Sequence, residues 1–387
     1  MKKLKVALVE GDGAAPEMMK VACDIMAEAA KLDDIKVIFE ETPMGWCALE
    51  EFGDTLPQSS FKRAIEIDTI FFGGVGDPKF DDTIGIERPD MRPEAHCLLP
   101  IRKEMGLLLN FRPMFFFKEL DFLANVKPET IPEQGVEQHW IRFLLEDSYF
   151  GNEDFINIIP EELRKTLGVK LKADVTGDEE QVMDLAYYRA ATIKKYLRAA
   201  FTYARELNLP VISMDKANVM ARYLFWRKIT TRIGEEEFPD VPLVHQLIDS
   251  GNTMIFKPAR LRGVIIGGNE HLDILSDGAA EALGSMGLMC SSAINPITGA
   301  SMFESGAGTA PTLAGQDKAN PIGRTLTGAM LLRHRRAVRG AKAIEFAVRL
   351  TLKDGYRTGD LFSAERDDPA KLVGTIGMGE KILKRLK

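Results

Sequence analysis

Cysteine is scarce in this chain, and the few present stand far apart. The four, Cys23, Cys47, Cys97 and Cys290, make no CxxC pair and no zinc-like cluster with the five histidines. A disulfide framework and a structural zinc site are therefore excluded, and the thiols read as reduced groups of a cytoplasmic protein. No apolar run approaches the roughly 18 residues of a membrane helix. The first one stops at Glu10-Gly11-Asp12, too short for a signal-peptide core. A basic surplus is also missing: 57 acidic against 50 basic residues leave a net charge of −7, which argues against nucleic acid as a partner. There is no GxxxxGK[ST] phosphate loop. Neither Gly11-Asp12-Gly13-Ala14-Ala15-Pro16 nor Gly306-Ala307-Gly308-Thr309-Ala310-Pro311 completes the GxGxxG fingerprint, so a nucleotide bound here uses neither Rossmann nor Walker geometry.

What is present is an ordinary globular composition, 45% hydrophobic and 28% charged over 387 residues, enough for two domains or one large one. Residues 5–9 read as a strand, Gly11-Asp12-Gly13 as a turn, and Pro16-Glu17 as the first turn of a helix. Met18, Val21, Ala22, Ile25 and Met26 then recur at helical spacing. A strand at 36–40, a helix at 59–67 and a buried strand at 69–72, ending in Gly73-Gly74-Val75-Gly76-Asp77-Pro78, repeat the cycle. Strands alternating with helices predict an α/β fold with a mostly parallel sheet. From 111 to 177 the pattern turns irregular, with Pro113, Pro128, Pro132 and Pro160, and a domain crossover is expected near its start. Beyond it come a helical stretch at 179–207, a strand at 210–214 feeding Asp215-Lys216-Ala217-Asn218, another at 264–266, a Gly/Ala/Thr/Pro-rich loop at 304–321, and a helix from 324.

Several residues can carry chemistry. Asp273 and Asp277 are four apart, which puts both carboxylates on one helix face; with Asp249 they make a donor set for a hard cation such as Mg²⁺ or Mn²⁺. Taken alone, the pair equally suits helix N-terminal acids favoured by the dipole, and that is the commoner case. Arg102, Arg112 and Arg142 sit among apolar neighbours, where an unpaired guanidinium is costly. Each wants a carboxylate, from a substrate or from a structural ion pair. Lys216 ends a strand, where α/β enzymes place catalytic groups, and Tyr149 in Glu146-Asp147-Ser148-Tyr149 suits a proton donor or a packed tyrosine.

The order of these motifs resembles the β-decarboxylating dehydrogenases, the isocitrate/isopropylmalate dehydrogenase family. The resemblance runs from Val6 to about His334. It includes Gly11-Asp12-Gly13 with Pro16-Glu17, Gly74-Val75-Gly76-Asp77-Pro78-Lys79, Leu98-Leu99-Pro100-Ile101-Arg102-Lys103 and Asn110-Phe111-Arg112-Pro113. It continues through Arg142 with Tyr149-Phe150-Gly151, Met214-Asp215-Lys216-Ala217-Asn218-Val219, His245 to Asp249, Asp273-Ile274-Leu275-Ser276-Asp277 and Gly315-Gln316-Asp317-Lys318-Ala319-Asn320-Pro321. The resemblance implies a two-domain α/β fold that is not Rossmann, with the active site in the interdomain cleft. A first domain of residues 1–107 plus 284–387 would hold the cofactor, and a second, 108–283, the dimer interface. It implies a homodimer whose sites borrow Lys216 and Asp249 from the neighbouring subunit, with no nucleic acid or membrane partner. The cation would rest on Asp249, Asp273 and Asp277. Arg102, Arg112 and Arg142 would grip the carboxylate to be lost, and Leu98 and Leu99 would line the substrate pocket. Lys216 would take the hydroxyl proton, and Tyr149 would return one to carbon. NAD, with NADP as the alternative, would meet Gly76, Glu304, Gly308, Thr309, Ala310, Pro311, Thr312 and Asn320.

The chain departs from the family pattern at the cofactor loop. His-Gly-[Ser/Thr]-Ala-Pro-[Asp/Lys] is here Ala307-Gly308-Thr309-Ala310-Pro311-Thr312, and with no cation at Thr312 to favour a 2′-phosphate the reading leans to NAD. His271-Leu272 replaces Phe-Gly before Asp273, and His271 reads as a surface or packing residue. Apolar Leu98 and Leu99 favour an alkyl substituent, whereas Glu146-Asp147-Ser148 is closer to isocitrate and tartrate enzymes. The resulting expectation is oxidative decarboxylation of 3-isopropylmalate or a related alkylmalate. Isocitrate, homoisocitrate, tartrate and D-malate are the alternatives, and a catalytically silent regulatory or ligand-binding homologue is the alternative of another class.

Overall fold

The computed structural model describes residues 1–133, 135–150, 186–284, 286–306 and 308–386. Among them are ten strands: β1 (Lys2–Val9), β2 (Ile35–Glu41), β3 (Thr69–Phe72), β4 (Leu109–Met114), β5 (Gln138–Phe143), β6 (Val211–Asp215), β7 (Leu243–Leu247), β8 (Gly263–Gly267), β9 (Cys290–Ile294) and β10 (Ser301–Ser305). The helices used below are α1 (Ala15–Ala30), α2 (Gln58–Ile67), α3 (Leu99–Glu104), α4 (Ala190–Leu207), α5 (Ala221–Glu237), α6 (Ile248–Met254), α7 (Asn269–Ala282), α8 (Ile322–His334), α9 (Val338–Lys353) and α10 (Thr375–Leu383).

All ten strands join one sheet, in the order β2-β1-β3-β10-β9-β4-β5-β8-β6-β7. Strands from residues before 108 and after 283 fill one half, and strands from between fill the other. The halves meet where β4 pairs antiparallel with β9, Leu109 opposite Ile294 and Phe111 opposite Ser292. The pairs β10-β9, β9-β4 and β4-β5 are antiparallel; the outer pairs are parallel. In α1, Pro16 occupies the first turn, where no N–H is needed, and Met18, Met19, Ala22, Ile25 and Met26 are buried. That face packs with α8, α9 and α10 in one core, while Phe143, Tyr196, Phe201, Trp226 and Ile266 centre another beneath α4 and α5. In the described residues no helix is long and apolar enough to cross a membrane, and all four cysteines are free.

Two expectations are corrected here. The stretch expected to be irregular from 111 supplies β4 and β5, which lie near the middle of the sheet. Their pattern is weak because the alternate positions Asn110 and Arg112 are buried yet polar. Pro113 lies beyond the last pairing with β9, where its missing N–H breaks no ladder bond on that side. The helical stretch expected from 179 begins at Ala190, residues 186–189 being non-helical; 179–185 lie outside the described residues.

The loops after β1 and β3 interlock backbone to backbone. Gly11 has φ +83°, and a Cβ there would collide with the Gly74 carbonyl oxygen. Asp12 N–H donates to that same oxygen at 3.0 Å. Gly11→Ala therefore combines left-handed strain with overpacking and is expected to lower stability by about 2–4 kcal/mol. A denaturant midpoint equal to that of the parent would refute this.

Candidate active site

Antiparallel β4 and β5 bring Asn110 opposite Arg142, and the period of two puts Asn110 and Arg112 on one face. Arg112 Nε donates to Asn110 Oδ1 at 3.0 Å, and Arg142 Nε to Asn269 Oδ1 at 2.6 Å. These bonds aim both guanidinium forks at α7, which starts just beyond β8. Asp273 and Asp277, one turn apart on α7, meet them. Arg112 Nη2 lies 2.8 Å from Asp273 Oδ1, and Nη1 lies 2.8 Å from Asp277 Oδ1 and 2.7 Å from Ser276 Oγ. Arg142 Nη1 donates to the same Asp273 Oδ1. Tyr149 completes the group: its hydroxyl donates to Asp273 Oδ2 at 3.1 Å, and its ring lies 5.3 Å from the Arg142 guanidinium. Arg102, on α3, pairs instead with Glu304 near the end of β10, at 3.3 Å.

The charges shape one another. Burial pulls Arg142 down to about 9, Arg112 adds to the fall and Asp273 opposes it; the group stays a cation at neutral pH. Burial alone would raise Asp273, but Arg142 and Arg112 hold it below the usual carboxylate value. At Asp277 burial wins over Arg112, and the carboxyl sits above its usual value. Burial, then the Asp273 charge, push Tyr149 to about 12, so its hydroxyl keeps its proton and can serve as an acid.

Lys216 and Asp249 stand elsewhere in the chain. Lys216, just past β6, donates to Asp249 in the first turn of α6, and that bond lowers the Asp249 carboxyl below its usual value. Among the described residues no third carboxylate, histidine or cysteine joins Asp273 and Asp277. The chemistry of the donor set nevertheless fits a hard divalent cation: two carboxylates lie one helical turn apart. Binding one requires Asp273 to exchange its arginine partners for the ion. His271 stacks on Tyr223 with ring centroids 4.9 Å apart, a packing role as expected.

The expected cofactor residues gather around the loops after β3 and β10. Thr309 Oγ1 donates to Gly76 O at 2.8 Å, and Ala14 N–H donates to Thr309 O at 2.8 Å. Gly308 and Ala310 take positive φ, +62° and +42°. Pro311 and Thr312 form a single 3₁₀ turn; Ala307 lies outside the described residues. Asn320 donates to Asp360 at 2.9 Å and accepts from the Ile322 N–H. Beside them a cavity of about 610 Å³ is lined by Met18, Ala310, Leu313, Asp317, Lys318 and Asp360 among others, Thr312 not included. Of the two expected pocket leucines, Leu98 ends a π-helical turn (Glu94–Leu98) and packs into the core with Val75 and Ile101, while Leu99 is half-buried.

Sequence reasoning assigned no role to Asn110, Asn269, Ser276, Asp360 or Arg324. Asn110 stood two before Arg112, a strand-face signal that was legible. Arg324 is buried, donating to the carbonyls of Gly73 and Gly308; a lone cation in a helical stretch carries no pattern.

Comparison with known proteins gives the same answer. The family model described as isocitrate/isopropylmalate dehydrogenase matches residues 5–382. The chain is 34% identical over 385 residues to a 3-isopropylmalate dehydrogenase of Oleidesulfovibrio alaskensis, covering 99% of this chain and 100% of that one. It is also 34% identical over 388 residues to that of Thermotoga maritima, covering 99% of both chains. Among solved structures, isocitrate dehydrogenase from Methylococcus capsulatus aligns with TM-score 0.79 at 26% identity, covering 100% of this chain and 99% of that one. A β-decarboxylating dehydrogenase from Thermococcus kodakarensis aligns with TM-score 0.74 at 25% identity, over 100% and 96%. With the arginine–aspartate cluster on a mixed sheet of this order, and a match along nearly its whole length, the chain belongs to the isocitrate/isopropylmalate dehydrogenase family and is a decarboxylating dehydrogenase.

Proposed function

We propose that this enzyme oxidises and decarboxylates a 2-hydroxy acid bearing a second carboxylate on the adjacent carbon, 3-isopropylmalate or a related alkylmalate ranking first, with NAD as hydride acceptor. The observation that carries the reading is the convergence of Arg112 and Arg142 on Asp273 beside Tyr149. Guanidiniums that now share a protein carboxylate form a preorganised grip for a substrate carboxylate. Mg²⁺ or Mn²⁺, on Asp273, Asp277 and the partner's Asp249, would supply Lewis acidity at the substrate hydroxyl. Arg102, Arg112 and Arg142 hold the carboxylate that leaves. The partner's Lys216 accepts the hydroxyl proton, and Tyr149, kept protonated by its surroundings, delivers a proton to carbon.

Sharing between subunits is supported by the surface around Lys216 and Asp249. Val219, whose N–H donates to the Lys216 carbonyl, is exposed, as are Leu224 and Phe225 on α5, Val244 on β7 and Phe256 just past α6, apolar side chains suited to a second copy of the chain. We place the cleft between a domain of residues 1–107 and 284–387 and one of 108–283.

The alkylmalate ranking is supported by the fate of the acidic segment. Glu146 and Asp147 are fully buried and turned to Arg189, Tyr188 and Arg222. Their likeness to isocitrate and tartrate enzymes thus concerns packing, and apolar Leu99, three residues before Arg102 on α3, remains for the substituent. For the coenzyme, the carboxylates of Asp317 and Asp360 outnumber Lys318 in the cavity wall, which disfavours a 2′-phosphate dianion. A screen of 2-hydroxy diacids with Mn²⁺ and either coenzyme tests all of this. The expected result is fastest turnover of an alkylmalate, with kcat/KM for NAD at least about tenfold above NADP. Faster isocitrate, homoisocitrate, tartrate or D-malate oxidation would replace the substrate, a preference for NADP would replace the coenzyme, and no turnover with any would favour a silent homologue.

A further inference from the structure

Two residues before Tyr149, Asp147 holds a left-handed backbone, φ +82°. For a residue other than glycine this conformation costs on the order of 1 kcal/mol and persists only where the surroundings impose it. Here the residue's own side chain imposes it. The Asp147 carboxylate is fully buried. Tyr188 Oη donates to Oδ2 at 2.7 Å, Arg222 Nε lies 3.3 Å from Oδ1, and the Ser148 N–H donates to Oδ1 at 3.1 Å. Asp147 N–H in turn donates to Tyr187 O at 3.2 Å.

The circuit closes around the turn. Arg222 Nη2 lies 3.9 Å from Glu270 Oε2, which accepts from Ser148 Oγ at 3.0 Å. Next to Asp147, the buried Glu146 accepts from Arg189 Nε and N–H at 2.8 Å each. Gly268 leaves room for the whole group, since a Cβ there would collide with the hydroxyls of Tyr188 and Tyr223. Burial, then Tyr223 and Asp147, push the Tyr188 hydroxyl well above its ordinary value, so it remains a donor. None of these bonds goes to Asp273 or to the arginines gathered on it. What they fix is the turn from which Tyr149 departs.

We infer that Asp147 is a positioning residue, whose buried carboxylate clamps a left-handed turn between Tyr188, Arg222 and Ser148 and thereby aims the Tyr149 hydroxyl at Asp273. The inference rests on the reading of Tyr149 as the proton donor. A clamp of this kind acts mainly on the rate of proton delivery, because Arg112 is held by Asn110 on β4 and Arg142 by Asn269 on α7, the one tie between grip and turn being the Asn269 bond to the Glu146 carbonyl at 3.2 Å.

Two variants separate the clamp from the backbone. Asp147→Gly relieves the φ constraint and deletes the carboxylate. Asp147→Asn tolerates the same φ and keeps an acceptor for Tyr188, but loses the charge facing Arg222. Each is compared with Tyr149→Phe for kcat, KM of the hydroxy diacid and solvent isotope effect. The ¹⁹F resonance of fluorotyrosine-labelled protein is assigned to position 149 by its absence from Tyr149→Phe. Asp147→Gly is expected to lower kcat about 30-fold with KM within about twofold, to show the solvent isotope effect of Tyr149→Phe, and to broaden the ¹⁹F line. Asp147→Asn is expected to lower kcat about threefold.

Parental kcat in Asp147→Gly, beside a large loss in Tyr149→Phe, overturns the inference, as does a loss confined to KM or to thermal stability. Should the glycine variant not fold, parental kcat and a sharp ¹⁹F line in Asp147→Asn overturn it. Parental kcat in Tyr149→Phe overturns the donor reading instead; a broadened line in Asp147→Gly would then still support control of the ring.

Discussion

Asp273→Ala is expected to abolish turnover and to destabilise the fold by about 3–5 kcal/mol. Asp273 Oδ1 is shared by Arg112 and Arg142, and its other oxygen accepts from Tyr149. Its removal leaves two nearly buried guanidiniums repelling one another, with Arg112 still paired to Asp277 and Arg142 deprived of its carboxylate. Activity is expected to fall for a separate reason: under the proposed function a cation ligand is lost, with an expected drop in kcat/KM of at least about 10³-fold. Asp273→Asn distinguishes the causes. The amide can still accept from an arginine, so part of the stability should return while turnover stays absent. Thermal unfolding and Mn²⁺-dependent rates on both variants check this. Parental stability in Asp273→Ala would mean that the arginines find other partners.

Lys216→Ala carries the second large effect, a fall in kcat of about 10²–10⁴-fold, the range for loss of a general base. Lys216 lies on the surface carrying Val219, Leu224 and Phe225, and its bond to Asp249 is exposed, so the fold should tolerate the change. If sites are shared across a twofold axis, mixing inactive Lys216→Ala and Asp273→Asn chains restores activity. Half of the dimers are then mixed and each regains one intact site, about one quarter of parental activity. A mixture as inactive as its components would refute sharing, and near-normal activity of Lys216→Ala would end its role as base.

Much of the candidate site was legible because its residues are short-range patterns. Asp273 and Asp277 are one turn apart on a helix, and Lys216 follows a buried strand; each spacing survives folding unchanged. The reading failed where burial and polarity part company. The stretch from 111 looked irregular because the inward face of β4 carries Asn110 and Arg112, and that strand joins the two halves of the sheet. Glu146 and Asp147, whose segment is closer to the isocitrate and tartrate pattern, are buried partners of Arg189, Tyr188 and Arg222.

The sequence by itself determined the alternation of strands and helices, the carboxylate spacing on α7 and the motif order that marks the family. These follow from period and local backbone preference, which need no distant contact. Only the tertiary structure decided that Arg112 and Arg142 share Asp273, that Asp147 faces away from the arginines, and that Lys216 pairs with Asp249 apart from them. A charge in the sequence has no partner until the sheet closes. Burial and neighbouring guanidiniums then set which carboxylate is held low, which is held high, and which proton stays in place.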